Sequence, residues 1–293
     1  VNPQEKQLNA LIRLLDDPDH EVYGQVHEAL LSFGPTAVAV LEASLREHKF
    51  ESRFDTRVSH IIDELQTEGI KEELLQWTQS DDKDLLSGVV IVSKHHDPNI
   101  DISYLKDTLQ MIKRDIWLEL NDYQTSFEQI KIFNRIFFDV HQFKCINKAS
   151  YAPSDLNICE VLKNREGNSL IISILYSVIA QELEIPVYGV NLPNHFIMAF
   201  MDNNLSNFVI NQQNEYGVLF YINPMSNGAI FDAKEISEFL TKRQLEEERT
   251  HFEPCSNTAI IKRMIAESML SFQQVGNRRK VFDLTRLRDA LLK

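Results

Sequence analysis

The run Arg165-Glu-Gly-Asn-Ser-Leu-Ile-Ile-Ser-Ile-Leu-Tyr-Ser-Val-Ile-Ala-Gln-Glu-Leu-Glu-Ile-Pro186 constrains the fold more than any other part of this chain. It opens on a turn at Gly167, then places Leu170, Ile171, Ile174, Leu175, Val178, Ile179 and Leu183 around nearly the whole helical circumference. A helix apolar on every face must be enclosed by other elements. It falls short of the roughly 20 apolar residues of a membrane span, and Ser173, Ser177, Gln181 and Glu182 interrupt it. Residues 187–191 and 193–200 follow as two short strands joined by a turn, with His195 at the entrance of the second.

The flanks read as helices. Residues 4–80 carry apolar faces at helical spacing: Leu8, Leu11, Ile12, Leu14 and Leu15, then Val22, Val26, Ala29, Leu30 and Phe33, then Val38, Leu41 and Leu45. Asp19 is placed to cap the second of these, and Gly34-Pro35 to end it and start the third. A weaker copy, Val58, Ile61, Ile62 and Leu65, is expected to stop at Gly69, 35 residues after Gly34. Helix pairs at this period resemble HEAT-type solenoid units; a plain bundle is the alternative. Further helices are expected over 104–120 and over 126–138, the latter with Phe127, Ile130, Phe133, Phe137 and Phe138 inward.

Later strands are expected at 207–210 and 218–222, a capped helix from Asp232, and a helical tail over 257–292 broken at Gly276-Asn277. The fold class is therefore α+β and mostly helical, with a buried helix packed on a small antiparallel sheet. The expected domains are 1–98 helical, 99–250 core and 251–293 tail.

Composition excludes several functions. The formal net charge of −13 repels phosphate backbones and anionic membrane surfaces, so neither nucleic acid nor membrane is an expected partner. Three widely spaced cysteines, Cys145, Cys159 and Cys255, form no C-x-x-C pair and predict free thiols in a reducing compartment, the cytoplasm. His95 and His96 are adjacent, point about 100° apart on a helix and cannot ligate from one face. They are read as a solvated helix end complementing the dipole, not as a metal site. No cofactor or metal is expected.

The run Val161-Leu-Lys-Asn-Arg-Glu-Gly-Asn-Ser-Leu-Ile-Ile-Ser-Ile-Leu-Tyr176, with Gly189-Val-Asn-Leu-Pro-Asn-His-Phe196, resembles the transglutaminase-like proteins of the SirB group. The resemblance covers roughly 104–240, and implies a core related to transglutaminases and, more distantly, to papain-like proteases. It implies tetratricopeptide-like helices for the tail. In active relatives a cysteine begins the core helix, a histidine on the next strand is its base, and an aspartate orients the histidine. Those positions fall here at Ser169, His195 and Asn223.

Two of the three depart from the pattern. Asparagine can orient an imidazole, as in Cys-His-Asn proteases. Serine matters more: a helix N-terminus and an imidazolium produce a thiolate at neutral pH, whereas a hydroxyl needs its proton removed during attack. The structural reading makes Ser169 a helix-terminal residue satisfying a backbone N–H, His195 a histidine bonded to Asn223, and Asn223 a turn starter before Pro224. The expectation is a non-catalytic scaffold that binds a protein or peptide. The alternative is a hydrolase or acyl transferase with Ser169 as nucleophile, His195 as base and Asn223 as orienter.

Overall fold

A computed structural model describes residues 3–47, 52–148, 150–201 and 216–292. Two compact units emerge, one of residues 1–76 with 289–293 and the other of residues 77–288. The strand expected at 207–210 lies outside the described residues.

The first unit holds α1 (Pro3–Arg13), α2 (His20–Leu31), α3 (Val38–Glu47) and most of α4 (Ser52–Gln79). Asp19 caps α2 as expected, its Oδ1 accepting from the Glu21 N–H at 2.8 Å. Gly34 ends α2 in the left-handed region at φ +64°, and Pro35 sits in the 3-10 turn leading to α3. Leu8, Ile12, Leu15, Val26, Leu30, Leu41, Val58, Ile61 and Leu65 close one core.

Gly69 corrects an expectation. It does not end a helix; α4 runs straight through it. A Cβ at Gly69 would lie 3.3 Å from Pro35 Cγ, so the residue gives clearance to the proline ring instead of a stop. In a long packed helix the cost of one glycine, about 1 kcal/mol, is outweighed by burial on either side.

In the second unit come α5 (Leu85–His96), α6 (Ile102–Trp117) and α7 (Ser126–Asn134), the last opened by a Thr125–Glu128 capping box. A π-helical turn, Arg135–Val140, continues α7. Phe137 and Phe138, consecutive in sequence, both reach the ring of Tyr176, at centroid distances of 5.3 and 6.1 Å, and Phe133 lies closer, tilted, at 4.0 Å. Phe127 departs from the expected stripe: it is 44% exposed, with the Lys131 ammonium 4.4 Å over its ring.

A short parallel pair, β1 (Lys144–Cys145) with β2 (Glu166–Gly167), brackets α8 (Ile158–Asn164) and leads into α9 (Ser169–Glu182). Residues 169–180 of α9 are all buried, as an all-apolar helix requires. The sheet is antiparallel in the order β3 (Val187–Leu192), β4 (His195–Met201), β5 (Val218–Asn223), β6 (Ala229–Phe231). β4 is buried on both faces. Ile197 and Ala199 join Val190, Tyr221 and the α10 (Ala233–Lys242) residues Ile236 and Leu240. Phe196, Met198 and Phe200 are buried on the other face, by strand alternation, where α9 packs. Helices α11 (Asn257–Gln274) and α12 (Arg278–Ala290) follow, separated at Gly276, which has φ +75°.

The histidine pair is not solvated. His95 is 2% exposed and edge-on to Phe272 of α11; His96 Nε2 lies 2.9 Å from Ser268 Oγ. Burial, then Lys280 and His96, pushes His95 down to about 2. Burial and Lys280 push His96 down to about 4. Asp283 Oδ2 lies 4.0 Å from His95 Nε2.

Both imidazoles thus stay neutral in the fold while unfolded histidines take up protons near 6.5. The unfolded state then binds more protons, so stability falls as pH drops below that value, by up to about 1.4 kcal/mol per unit for each group. We expect unfolding in urea at pH 5.5 to need about 2 kcal/mol less than at pH 6.5. His95→Phe should flatten that slope; an unchanged slope would refute the assignment.

Candidate functional site

The start of α9 is built by its neighbours. Gly167 is needed for close approach, since a Cβ there would meet Val161 at 2.8 Å. Asn168, not Ser169, is the N-cap: its Oδ1 accepts from the Ile171 N–H at 2.9 Å. Ser169 is therefore the first helical residue. It is 9% exposed, and its hydroxyl has no hydrogen-bond partner among the described residues. The N–H groups of Ser169 and Leu170 have no acceptor within the helix.

His195 follows a two-residue turn and pairs with Leu192 at the end of the β3–β4 ladder. Alternation puts it on the same face as Ile197 and Ala199, the face that α10 covers. Its ring stands edge-on to Phe239 of α10 at 5.0 Å. The Arg243 guanidinium, 4.8 Å above the same phenylalanine, donates from Nη2 to His195 Nε2 at 3.3 Å. Nε2 is therefore the acceptor nitrogen and the ring proton sits on Nδ1. Burial, then Arg243 and Arg263, lowers the His195 pKa, which keeps the imidazole neutral.

Asn223 ends β5 and starts the 3-10 turn Pro224–Ser226. Its Oδ1 accepts from the Met225 N–H at 3.0 Å and its Nδ2 faces Ser226 Oγ at 3.3 Å. The turn closes at Gly228, whose N–H donates to the Asn223 carbonyl at 2.9 Å. Asn134 Nδ2 donates to the Gly228 carbonyl at 2.7 Å, and Asn134 Oδ1 accepts from the Tyr176 hydroxyl at 2.9 Å. A buried tyrosine of α9 thus holds the loop through one asparagine. Ser169, His195 and Asn223 are linked by no hydrogen bond: His195 Nε2 is given to Arg243, and the Asn223 side chain to its own turn.

Arg243 and Asn134 carry no local signal in the sequence, and neither does a pair on α11 beyond its spacing. Arg263 and Glu267 lie four apart on α11, and Arg263 Nε donates to Glu267 Oε1 at 2.8 Å. Arg263 Nη1 donates to the carbonyls of Leu192 at 2.9 Å and His195 at 3.0 Å, and to Asn191 Oδ1. Glu267 Oε2 accepts from Asn168 Nδ2. The pair ties the cap of α9 to the hairpin that carries His195. Its only signal in the sequence, an Arg-x-x-x-Glu spacing, is what any solvated helix face shows.

These groups surround an open cavity of about 830 Å³, lined among others by Asn168, Ser169, Asn191, Asn194, His195, Arg243, Arg263 and Glu267. Most of its polar lining is amide or hydroxyl. Arg263 and Glu267 neutralise each other, and Lys148 is paired with Asp155 at 3.0 Å. None of the three thiols is among the residues that line the cavity. Burial pushes Cys145 up to about 12 and Cys255 up to about 11, and it raises Cys159 as well.

A capped, buried helix against an antiparallel sheet, with a histidine on the second strand, is consistent with a transglutaminase-like core. The transglutaminase-like superfamily model matches residues 104–266, more than half of the chain, and the chain belongs to that superfamily. Two proteins of Xylella fastidiosa, from strains Temecula1 and 9a5c and both named UPF0162 protein, are 21% identical over 154 residues. That stretch is 53% of this chain and 50% of each relative, so the chain spans about half the length of the curated relatives it matches. No solved structure matches the chain. No single described helix is long and apolar enough to cross a membrane.

Proposed function

We propose that this is a cytoplasmic transglutaminase-like protein of the SirB group whose cleft binds a protein or peptide without transforming it. Its N-terminal helices are HEAT-like or bundled, and its tail is tetratricopeptide-like. The observation that carries the reading is the partner of His195. Its acceptor nitrogen faces the Arg243 guanidinium, and its ring sits with Phe239 on the α10 face. A hydroxyl nucleophile needs a base within hydrogen-bond reach to take its proton. Ser169 has no such bond to His195, and the neutral amide of Asn223 bonds within its own turn. The amide- and hydroxyl-rich lining suits a peptide backbone, which offers donors and acceptors and carries no charge.

Restoring the family's thiol tests this. Ser169→Cys is expected to react with iodoacetamide at the same rate with or without His195→Ala, because any activation then comes from the α9 N-terminus and not from the imidazole. A rate that falls about tenfold or more with His195→Ala would mean a working base, and would sink the proposal. So would stoichiometric labelling of Ser169 itself by a serine-reactive phosphonate.

A further inference from the structure

His60 and Glu64 stand four residues apart on α4 and share one face of it. His27 of α2 reaches the same point. Its Nε2 lies 3.0 Å from Glu64 Oε2, while His60 Nδ1 lies 3.0 Å from Glu64 Oε1. One donor atom from each side chain falls within 4.8 Å of the other two. The backbones beneath are fixed by packing: Val26, Leu30, Ile61 and Leu65 are buried in one cluster beside them.

Two observations set this apart from an ordinary histidine–carboxylate pair. His27 Nε2 is buried and 3.0 Å from a carboxylate oxygen, yet forms no hydrogen bond among the described residues, so the ring is not aligned on that oxygen. A buried nitrogen without a partner costs stability unless something satisfies it. And two imidazoles from different helices converge on one carboxylate, each beside a different oxygen.

Two imidazoles and a carboxylate suit a borderline-soft divalent ion; calcium and magnesium take oxygen-only sets. Around zinc, donors at 2.0–2.1 Å stand about 3.3 Å apart on a tetrahedral edge. Whichever carboxylate oxygen binds, one nitrogen–oxygen spacing is already near that value, and the widest pair closes by side-chain rotations of about 1.5 Å. We propose that His27, His60 and Glu64 bind one zinc ion, with water at the fourth position, and that the ion clasps α2 to α4. The site is independent of the cleft and of its reading.

The test is zinc titration of the full chain at neutral pH against a chromophoric chelator, with cobalt(II) absorption as a second readout. The expected result is one equivalent bound with a dissociation constant below about 100 µM, and a four-coordinate cobalt spectrum. His27→Gln, His60→Gln and Glu64→Gln should each weaken binding by more than about tenfold, since losing a ligand costs at least as much as losing a supporting hydrogen bond. His20→Gln, on the exposed first turn of α2, should bind as the wild type does. His60 is 46% exposed, so its variant tests the site even if the His27 variant unfolds. Unchanged affinity in His60→Gln, no stoichiometric zinc in the wild type, or a cobalt–thiolate charge-transfer band would overturn the proposal.

Discussion

Gly228→Ala is expected to destabilise the transglutaminase-like core by about 3–4 kcal/mol, measured by urea unfolding. The residue has φ +78°, where a side chain costs about 1–2 kcal/mol. An added Cβ would also lie 2.1 Å from Asn134 Oδ1, inside any real contact. Asn134 must then swing away and give up its bonds to the Gly228 carbonyl and the Tyr176 hydroxyl. Tyr176 is fully buried, so its stranded hydroxyl adds about 1–3 kcal/mol. Adding Asn134→Ala to Gly228→Ala removes the overlap, and the double variant should lose less than the sum of the two single losses. Strict additivity, or a loss under about 1 kcal/mol for Gly228→Ala alone, would show that the loop does not lean on Asn134.

Arg263→Ala should cost about 3–5 kcal/mol, because it breaks a largely enclosed ion pair and strips the donors from two hairpin carbonyls. The Arg263 side chain is 14% exposed, so solvent screening reduces the effect little. For a unit of this size that is a fall in Tm of roughly 10 °C by calorimetry. Arg263→Lys keeps the charge and loses the planar fork, and should recover less than half of the loss. If Arg263→Ala costs no more than a surface pair, about 1 kcal/mol or less, the clamp between α9 and the hairpin is not a stabilising element.

Much of the core was legible beforehand because its cues are local. Helix α9 is marked by apolar residues on every face, β3 and β4 by β-rich runs meeting at Pro193-Asn194, α2 by Asp19, and the break at Gly276 by the glycine itself. Other cues misled for equally physical reasons. Glycine permits a stop without requiring one, and Gly69 stays helical because Pro35 uses the space beside it. Ser169 and Asn168 are both good caps, and the order of turn and helix gave the role to asparagine. His95-His96 resembles a wet helix end until α11 covers it.

The sequence by itself determined the buried helix and the hairpin of the transglutaminase-like frame, and within it pointed to Ser169, His195 and Asn223 as candidates. Those depend on neighbours a few residues apart, whose spacing and turn chemistry are written in the chain. Only the tertiary structure decided which way His195 faces. β4 is apolar on both sides, so its alternation names two faces without saying which one meets α9. Nor could spacing reveal that Arg243 takes the imidazole, 48 residues away, or that Arg263 reaches a hairpin some 70 residues before it. Contacts at such separations are set by how layers pack, and no local period encodes them.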